Sequence, residues 1–298
     1  MRVGKVLVLR KKTMYQIQGE EYKEERFLKL LAEGNQVVNR VRLAHEEHLA
    51  TLEVVHRALS ERNIEFRSIA RAELDHLIED VDLMISVGGD GTFLDASHSL
   101  LDLPLLGVNS SRSSSFGHFC MATGDTFESV LDRIIEGAIA PLKILRLKLT
   151  LNGQVLNERV LNEVLIAHES PAATSRYFID IEGEREEHRS SGILIGTPAG
   201  STGTLRSAGA PVERIDAGRF QYLVREPYLR PGDSFRFLHG SLDRSRPIKV
   251  TSQMRTGSIF IDGPHIVYGF ALGDELLVDA GDSDLNAFVD AGVNDMFL

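Results

Sequence analysis

The chain has 298 residues and a formal net charge of −10 at pH 7, with 43% hydrophobic and 26% charged side chains. This length predicts two domains or one large one, and the acidic balance argues against a nucleic-acid partner, which binds basic surfaces. No apolar run approaches the roughly 18 residues of a membrane span, and the single cysteine, Cys120, excludes an internal disulfide. We therefore expect a cytoplasmic protein without membrane or nucleic-acid partners.

The first half of the chain alternates between predicted strands and predicted helices. The strands are residues 3–9, 64–69, 82–87 and 104–109, the helices are 41–63, 73–78, 93–101 and 126–136, and residues 11–25 form a loop or a helix start. This alternation predicts a parallel sheet with helices on its faces. Ligands bind such sheets at the carboxyl ends of the strands, where residues 88–92 and 107–109 both fall.

After residue 140 the pattern changes to short alternating runs separated by turn signals such as Asn152-Gly153 and Asp262-Gly263. The predicted strands are 145–151, 160–168, 177–181, 192–196, 234–238, 248–251, 258–261 and 275–278. We predict an α/β domain with a parallel sheet over residues 1–139 and a β-rich domain over 140–278. Residues 279–298 lose the strand pattern, and we expect a tail that packs back on the first domain.

The sequence GGDGT at residues 88–92 lies between a predicted buried strand and a predicted helix. Glycine lets a backbone turn tightly and approach a ligand closely, and the N–H groups at a helix start attract anions. The carboxylate of Asp90 stands where an anion site least tolerates one, which suggests a direct role in chemistry. The alternative is that Asp90 only caps a helix beginning at Thr92, although a cap does not require glycine on both sides.

Asn162 and Glu163 interrupt the apolar run of residues 160–166. Burying such groups unpaired costs about 1–3 kcal/mol, so the protein or a ligand must bind them. A regular strand places them on opposite faces, and a bulge is needed to direct both to one site. The alternative is an edge-strand kink with solvated side chains.

The sequence GTPAGSTGT at residues 196–204 forms a second glycine-rich turn after a short apolar strand. Its N–H and O–H donors suit a phosphate or a ribose, and the alternative is a plain loop. Neither this turn nor the first one matches the Walker A or the dinucleotide G-x-G-x-x-G spacing.

The three motifs, in this order and with an α/β half before a β half, resemble the signature set of the NAD kinase family. GGDGT alone also occurs in diacylglycerol and sphingosine kinases, whereas the combination is specific. The segments GGDGTFLDASH, LLGVNSSRSSSFGHFC and HRSSG are most similar to the branch of plant NADH kinases and mitochondrial NAD kinases.

This resemblance implies a kinase that phosphorylates the adenosine 2′-hydroxyl of NAD or NADH, with ATP as donor and Mg²⁺ bound with the donor. It implies a homodimer or homotetramer and no dedicated metal site in the protein. A diacylglycerol-type lipid kinase and a non-catalytic dinucleotide sensor are the alternatives. The kinase interpretation predicts that the two glycine-rich turns close on a common cleft.

By the same resemblance, Asp90 is the catalytic residue, acting as a base or orienting group. The implied substrate- and nucleotide-binding residues are Gly89, Gly91, Thr92, Asn109, His118, Asn162, Glu163, Arg189, Ser191, Ser201, Thr202, Gly203 and Ser207. Three positions depart from the family pattern: Ser191 replaces an aspartate, His118 an aromatic residue, and Thr204 a tyrosine.

Overall fold

The computed structural model describes residues 2–74 and 76–297. The chain divides into two compact units, a first unit of Met1–Leu142 with Leu285–Asp290 and a second unit of Lys143–Asp284 with Ala291–Leu298. Of the predicted tail, residues 285–290 thus belong to the first unit, and residues 279–284 and 291–298 to the second. No helix in the described ranges is both long and apolar enough to cross a bilayer.

The α-helices are α1 (Glu25–Ala32), α2 (Gln36–Glu61), α3 (Asp90–His98), α4 (Phe127–Ile135) and α5 (Thr204–Ser207). A π-helix spans Tyr15–Glu21, and 3-10 turns span Arg71–Glu73, Ala199–Thr202 and Asp295–Phe297. The strands are β1 (Lys5–Arg10), β2 (Glu65–Ala70), β3 (Leu83–Gly88), β4 (Leu105–Asn109), β5 (Ala122–Thr123), β6 (Leu142–Ile144), β7 (Leu147–Leu151), β8 (Gln154–Val160), β9 (Glu163–His168), β10 (Ser175–Ile181), β11 (Glu184–Ser190), β12 (Ile193–Gly196), β13 (Arg219–Val224), β14 (His239–Asp243), β15 (Ile248–Ser252), β16 (Gly257–Ile261), β17 (Ile266–Gly269), β18 (Glu275–Ala280) and β19 (Leu285–Phe288).

The first unit is built on a sheet of order β2-β1-β3-β4-β19-β6, with β5 beside β4. The pairs β1/β2, β1/β3, β3/β4, β4/β19 and β4/β5 are parallel. Val55 and Leu59 of α2 and Phe127 of α4 are buried against Val8 and Ile85 on one face of the sheet. Strands covered on both faces read as continuous apolar runs, which is why β3 and β4 were predictable.

The carboxyl ends of β3 and β4 meet at one edge of this sheet, because Gly88 is the register partner of Asn109. On the face opposite α2, Phe93 of α3 packs so closely on Gly107 of β4 that a Cβ there would lie 2.9 Å from the ring. The prediction that both segments end at one edge is confirmed.

The second unit is a sandwich of two antiparallel six-stranded sheets. The orders are β11-β10-β15-β18-β7-β8 and β14-β13-β12-β9-β16-β17. Side chains from both sheets form one buried cluster, for example Tyr177 and Ile179 from the first sheet with Ile166, Ile193 and Phe220 from the second. The predicted β-rich character of this half is confirmed.

Several predicted elements are wrong in detail. The predicted helix 73–78 is replaced by the 3-10 turn Arg71–Glu73, and Asp75 lies outside the described residues. Residues 234–238 form no strand, and β14 follows them. Residues 160–168 are the end of β8 and the whole of β9, separated by a corner. The helix predicted at 93–101 begins earlier, at Asp90.

Candidate active site

The GGDGT turn joins β3 directly to α3, and its glycines make room for side chains. Gly89 is the N-cap of α3 in an extended conformation. A Cβ on Gly88 would overlap the Thr92 side chain, and a Cβ on Gly89 would overlap that of Ser115, whereas Gly91 has open space where its Cβ would be. The first two glycines are therefore required for packing, and Gly91 is left for an approaching ligand.

Asp90 is the first residue of α3 and is half-buried. Its Oδ1 accepts a hydrogen bond of 2.9 Å from the backbone N–H of Phe119. Within the described part of the chain Oδ2 accepts none. The alternative that Asp90 caps a helix beginning at Thr92 is wrong, because Gly89 is the cap. The carboxylate is instead held by one oxygen, with the other available for a substrate.

Asn109, at the end of β4, holds the loop of residues 110–119. Its Nδ2 donates to the carbonyls of Ser115 (3.0 Å) and Phe116 (3.2 Å), and its Oδ1 accepts from the N–H of Ser111 (3.2 Å). Both amide hydrogens are thus used inside the unit, and one lone pair of Oδ1 remains uncommitted. No sequence pattern indicated this supporting role of Asn109.

Two further predicted residues of the first unit differ in accessibility. Thr92 is buried beneath Gly88, and its N–H donates to the carbonyl of Gly89 (3.0 Å), so its side chain is part of the packing. His118 is half-buried, with its ring centroid 5.2 Å from that of Phe119 in an edge-on arrangement. The aromatic surface at this point of the loop is therefore an imidazole supported by a phenyl ring.

In the second unit, Asn162 and Glu163 stand at the corner between β8 and β9, which belong to different sheets. No bulge is needed, since the chain turns at this point. The Oδ1 of Asn162 and the Oε2 of Glu163 are inaccessible to solvent and have no hydrogen-bond partner among the described residues. Burial raises the pKa of Glu163, and a hydrogen bond with the Thr204 side chain opposes that rise. The alternative of solvated side chains on an edge strand is wrong.

Asp262 fixes the backbone of this corner. Its carboxylate accepts hydrogen bonds from the N–H groups of Leu161 (2.8 Å), Asn162 (2.7 Å) and Glu163 (3.1 Å). The pKa of Asp262 is raised to about 7, chiefly by burial; the three N–H groups oppose this rise and the nearby Glu163 carboxylate adds to it. The sequence suggested only a turn at this aspartate, and nothing in the pattern linked it to a corner about 100 residues away.

The turn at residues 196–204 packs directly on the same corner. The N–H of Thr197 donates to the carbonyl of Asn162 (2.9 Å), and its hydroxyl donates to the carbonyl of Leu161. A Cβ on Gly200 would overlap the carbonyl group of Asn162. The structure thus brings the second and third motifs together within one unit.

The hydroxyls of this turn are divided between packing and the surface. Ser201 is fully buried, donates to the carbonyl of Pro198 (2.7 Å) and accepts from the N–H of Glu213 (3.0 Å). Thr202 is half-buried, and Gly203, which caps α5, is exposed. Ser207 is exposed on α5 and donates to the carbonyl of Gly203 (3.2 Å). Ser201 therefore supports the turn, while the others border its accessible side.

Arg189 and Ser191 lie away from this corner. Arg189 is on the edge strand β11, lining a cavity of about 180 Å³ with Tyr228 and Arg230. Ser191 precedes β12, and its N–H donates to the carbonyl of Arg225 (3.0 Å). The 196–204 turn begins at the other end of β12, about 16 Å from Ser191 at roughly 3.3 Å per residue. Within the second unit these two residues do not join the others.

No group of three or more His, Cys, Asp or Glu side chains able to hold a metal ion occurs in residues 2–74 and 76–297. The GGDGT turn itself contributes one carboxylate, Asp90, with one uncommitted oxygen. Mg²⁺ commonly binds one or two carboxylates together with substrate phosphates and waters. The donor set therefore fits an ion carried by a phosphorylated substrate.

Comparison with known proteins gives sequence relatives over most of the chain. Residues 7–139 match the family described as the ATP-NAD kinase N-terminal domain. The chain is 35% identical to the NADH kinase of Arabidopsis thaliana over 287 residues, 89% of this chain and 90% of that protein. It is also 35% identical to the probable NADH kinase of Oryza sativa subsp. japonica over 256 residues, 78% of each.

Two solved structures share the fold. The yeast NADH kinase complexed with NADH has a TM-score of 0.72 at 17% identity and covers 100% of this chain and 86% of its own. An NAD kinase from Archaeoglobus fulgidus in complex with ATP has a TM-score of 0.70 at 20% identity, covering 98% and 96%. At these identities the likeness establishes the fold, while the plant relatives establish kinship by sequence. The chain belongs to the NAD kinase family.

Proposed function

We propose that this protein is an NAD(H) kinase that transfers the γ-phosphoryl group of ATP to the adenosine 2′-hydroxyl of NAD or NADH. The observation that carries the proposal is the pair of buried, unpartnered oxygens on Asn162 and Glu163 beside the 196–204 turn. The names of the plant relatives support the activity, and the ATP and NADH complexes of the structural relatives support the two substrates.

Asn162 and Glu163 are built to accept hydrogen bonds from a ligand. A buried acceptor without a partner costs about 1–3 kcal/mol, and a donor group on a ligand removes that cost. Adenosine carries such donors on its ribose hydroxyls and its exocyclic amine. A diacylglycerol offers one hydroxyl and mostly apolar surface, so the polar corner favours the dinucleotide over a lipid.

Asp90 meets the 2′-hydroxyl through Oδ2. During transfer, the bond between the γ-phosphorus and the β–γ bridging oxygen breaks, and a bond from phosphorus to the 2′-oxygen forms. The hydroxyl proton passes to Asp90, and ADP leaves. An ordinary carboxylate is a weak base toward an alcohol, but the loose transition state lets it accept the proton late while it orients the hydroxyl throughout.

Mg²⁺, when bound with ATP, neutralises phosphate charge and offsets repulsion between the phosphates and Asp90. Asp90 is the carboxylate of the turn that would help to hold such an ion beside the phosphates of the donor.

The remaining residues are assigned to different parts of the substrates according to their positions. Gly89 and Gly91 border the phosphate side, and His118 presents its ring to the adenine. The residues assigned to the rest of the dinucleotide are Asn109, Arg189, Ser191, Thr202, Gly203 and Ser207, while the buried Thr92 and Ser201 support the site through packing. We include in this proposal a homodimer or homotetramer, from the family resemblance, and a cytoplasmic location, which the free thiol of Cys120 suits.

A coupled assay tests the function. The purified protein is offered NAD or NADH with Mg²⁺ and ATP, inorganic polyphosphate or no donor, and product is read with an NADP-specific dehydrogenase. We expect NADP or NADPH to form with ATP. Binding of NADH without turnover would instead identify a sensor. Phosphorylation of diacylglycerol on thin-layer plates, without NADP formation, would identify a lipid kinase.

A further inference from the structure

Lys11 lies directly beside the GGDGT turn, at the carboxyl end of β1. Arg10 is the register partner of Val87, and the N–H of Lys11 donates to the carbonyl of Val87 (3.3 Å). Lys11 is therefore level with Gly88 on the neighbouring strand, at the edge where ligands bind parallel sheets. The backbone of Lys11 also accepts a hydrogen bond from His48.

The ammonium of Lys11 is half-buried and makes no salt bridge or hydrogen bond with any residue that the structure describes. The acidic side chain that attracts it most, Glu47, uses its Oε2 to accept from Ser111 (2.7 Å) and Ser113 (2.8 Å). Burial lowers the pKa of Lys11 more than Glu47 raises it. A desolvated cation without a direct partner is costly in the empty protein, and an anionic ligand would remove that cost.

The adjacent Lys12 shows the ordinary arrangement. It is exposed, and its Nζ lies 2.6 Å from the Oε1 of Glu21. Two successive lysines thus differ sharply in surroundings, since one is paired in solvent and the other is kept unpaired beside a glycine turn.

We propose that the ammonium of Lys11 binds phosphate oxygens of the phosphoryl donor and stabilises the negative charge on them during transfer. This inference rests on the proposed function. The GGDGT turn contributes a carboxylate and no cation, although a nucleoside triphosphate brings several negative charges to it. A preorganised cation in a partly desolvated site is an effective means of stabilising such charge.

Lys11→Met tests the proposal, with Lys12→Met as the matched control. Binding of ATP and of inorganic tripolyphosphate is measured by calorimetry, and NADH binding by its fluorescence. We expect Lys11→Met to weaken both phosphate ligands by at least about tenfold, as for a lost charge-assisted hydrogen bond, with NADH binding unchanged. The KM for ATP rises and kcat falls, Lys11→Arg recovers part of the loss, and Lys12→Met matches the wild type.

Thermal unfolding separates a phosphate role from a structural one. Because methionine has nearly the same shape and no charge, Lys11→Met should unfold at the same temperature as the wild type or a higher one. A lower unfolding temperature together with equal losses for tripolyphosphate and NADH would overturn the proposal, as would wild-type affinity for ATP. Lys11→Gln provides the same comparison if the methionine variant does not fold.

The measurements distinguish failure of the proposed kinase activity from failure of the proposed phosphate site at Lys11. If the wild-type protein forms no NADP but Lys11→Met still weakens tripolyphosphate binding, the proposed function is contradicted and the phosphate site at Lys11 is supported. If the wild-type protein forms NADP and Lys11→Met has the same activity and the same affinity for ATP, the proposed function is supported and the role of Lys11 is contradicted.

Discussion

The two glycine-rich turns use glycine for different purposes. In the first unit, Gly88 and Gly89 leave space for the side chains of Thr92 and Ser115, and the turn ends on Asp90 with an uncommitted carboxylate oxygen. The first turn thus presents a half-buried carboxylate with one uncommitted oxygen, and the glycines support it by close packing.

In the second unit, the glycine turn supports another segment. Gly200 leaves space for the carbonyl of Asn162, and the hydroxyls of Thr197 and Ser201 bond to backbone carbonyls. The unpartnered atoms belong to Asn162 and Glu163, beside the turn. A hydroxyl-rich turn therefore need not be the ligand-binding surface itself. Here it holds the corner that provides the acceptors.

The largest expected effect comes from Asp90→Asn. The amide oxygen can still accept from the N–H of Phe119, so the turn should keep its shape, while the group facing the substrate can no longer take a proton. We expect kcat to fall by at least about a hundredfold, typical for loss of a general base, with NADH affinity within about threefold of wild type. Steady-state kinetics and NADH titration measure both.

Asp125→Asn is the matched control for this variant, because Asp125 is an exposed aspartate of the same unit. It should retain wild-type kinetics. Retained activity in Asp90→Asn would show that Asp90 takes no part in the chemistry. The first turn would then, like the second, have only a structural role.

The first unit was largely predictable because its strands and helices carry regular patterns. The strand β3 is buried throughout and apolar except for Ser86, and α4 repeats apolar residues at helical spacing, with Phe127, Val130, Leu131 and Ile134 buried. The start of α3 was missed because two of its first residues, Asp90 and Gly91, read as a turn.

The second unit was less predictable because its edges and corners break the alternation. The edge strand β11, Glu184–Ser190, is mostly charged, as edge strands often are, and no strand was predicted there. The apolar run 160–168 continues through a corner because strands on both sides face the same core. The bonds from Asp262 to that corner link residues 99 to 101 positions apart, and local patterns carry no information on such contacts.

Alanine substitutions at two glycines sharpen the comparison of the turns. Gly200→Ala places a methyl group on the carbonyl of Asn162, and we expect the unfolding free energy to fall by about 3 kcal/mol. Gly91→Ala meets no atom within 4 Å and lies in the first turn of α3. It should leave stability equal or raise it by up to about 1 kcal/mol, while ATP affinity falls. Denaturant titration and calorimetry give both quantities, and a stable Gly200→Ala would contradict the supporting role.

Asp262→Asn tests whether the Asp262 carboxylate is needed to hold the backbone of the corner at residues 161–163. An asparagine has one acceptor oxygen, so its amide group must face at least one of the three N–H donors. We expect a loss of about 2 kcal/mol in unfolding free energy at pH 8, together with weaker NADH binding as the corner shifts. Asp274→Asn, at a half-buried aspartate that accepts from the N–H of Ala271 (2.7 Å), should leave NADH binding unchanged. Normal NADH binding in Asp262→Asn would show that the corner keeps its shape without this carboxylate.

Glu163→Gln is expected to have the smallest effect and to show stability and binding changing in opposite directions. The amide keeps the shape and the Thr204 contact but loses the charge, so dinucleotide affinity should fall by about tenfold, as for one charge-assisted hydrogen bond. Because burial raises the pKa of Glu163 above its unfolded value of 4.5, the folded state binds its proton more tightly than the unfolded state does. The wild type therefore loses stability as pH rises through the raised pKa.

Glutamine does not titrate, so the variant should gain stability relative to wild type between pH 5 and pH 8 in the absence of ligand. Asp262, with its pKa near 7, contributes a slope of the same sign in both proteins, and removing the neighbouring charge makes that slope shallower in the variant. Denaturant unfolding at several pH values measures the difference. Parallel profiles with unchanged NADH affinity would mean that Glu163 meets no ligand, and the recognition assigned to this corner would then rest on Asn162 alone.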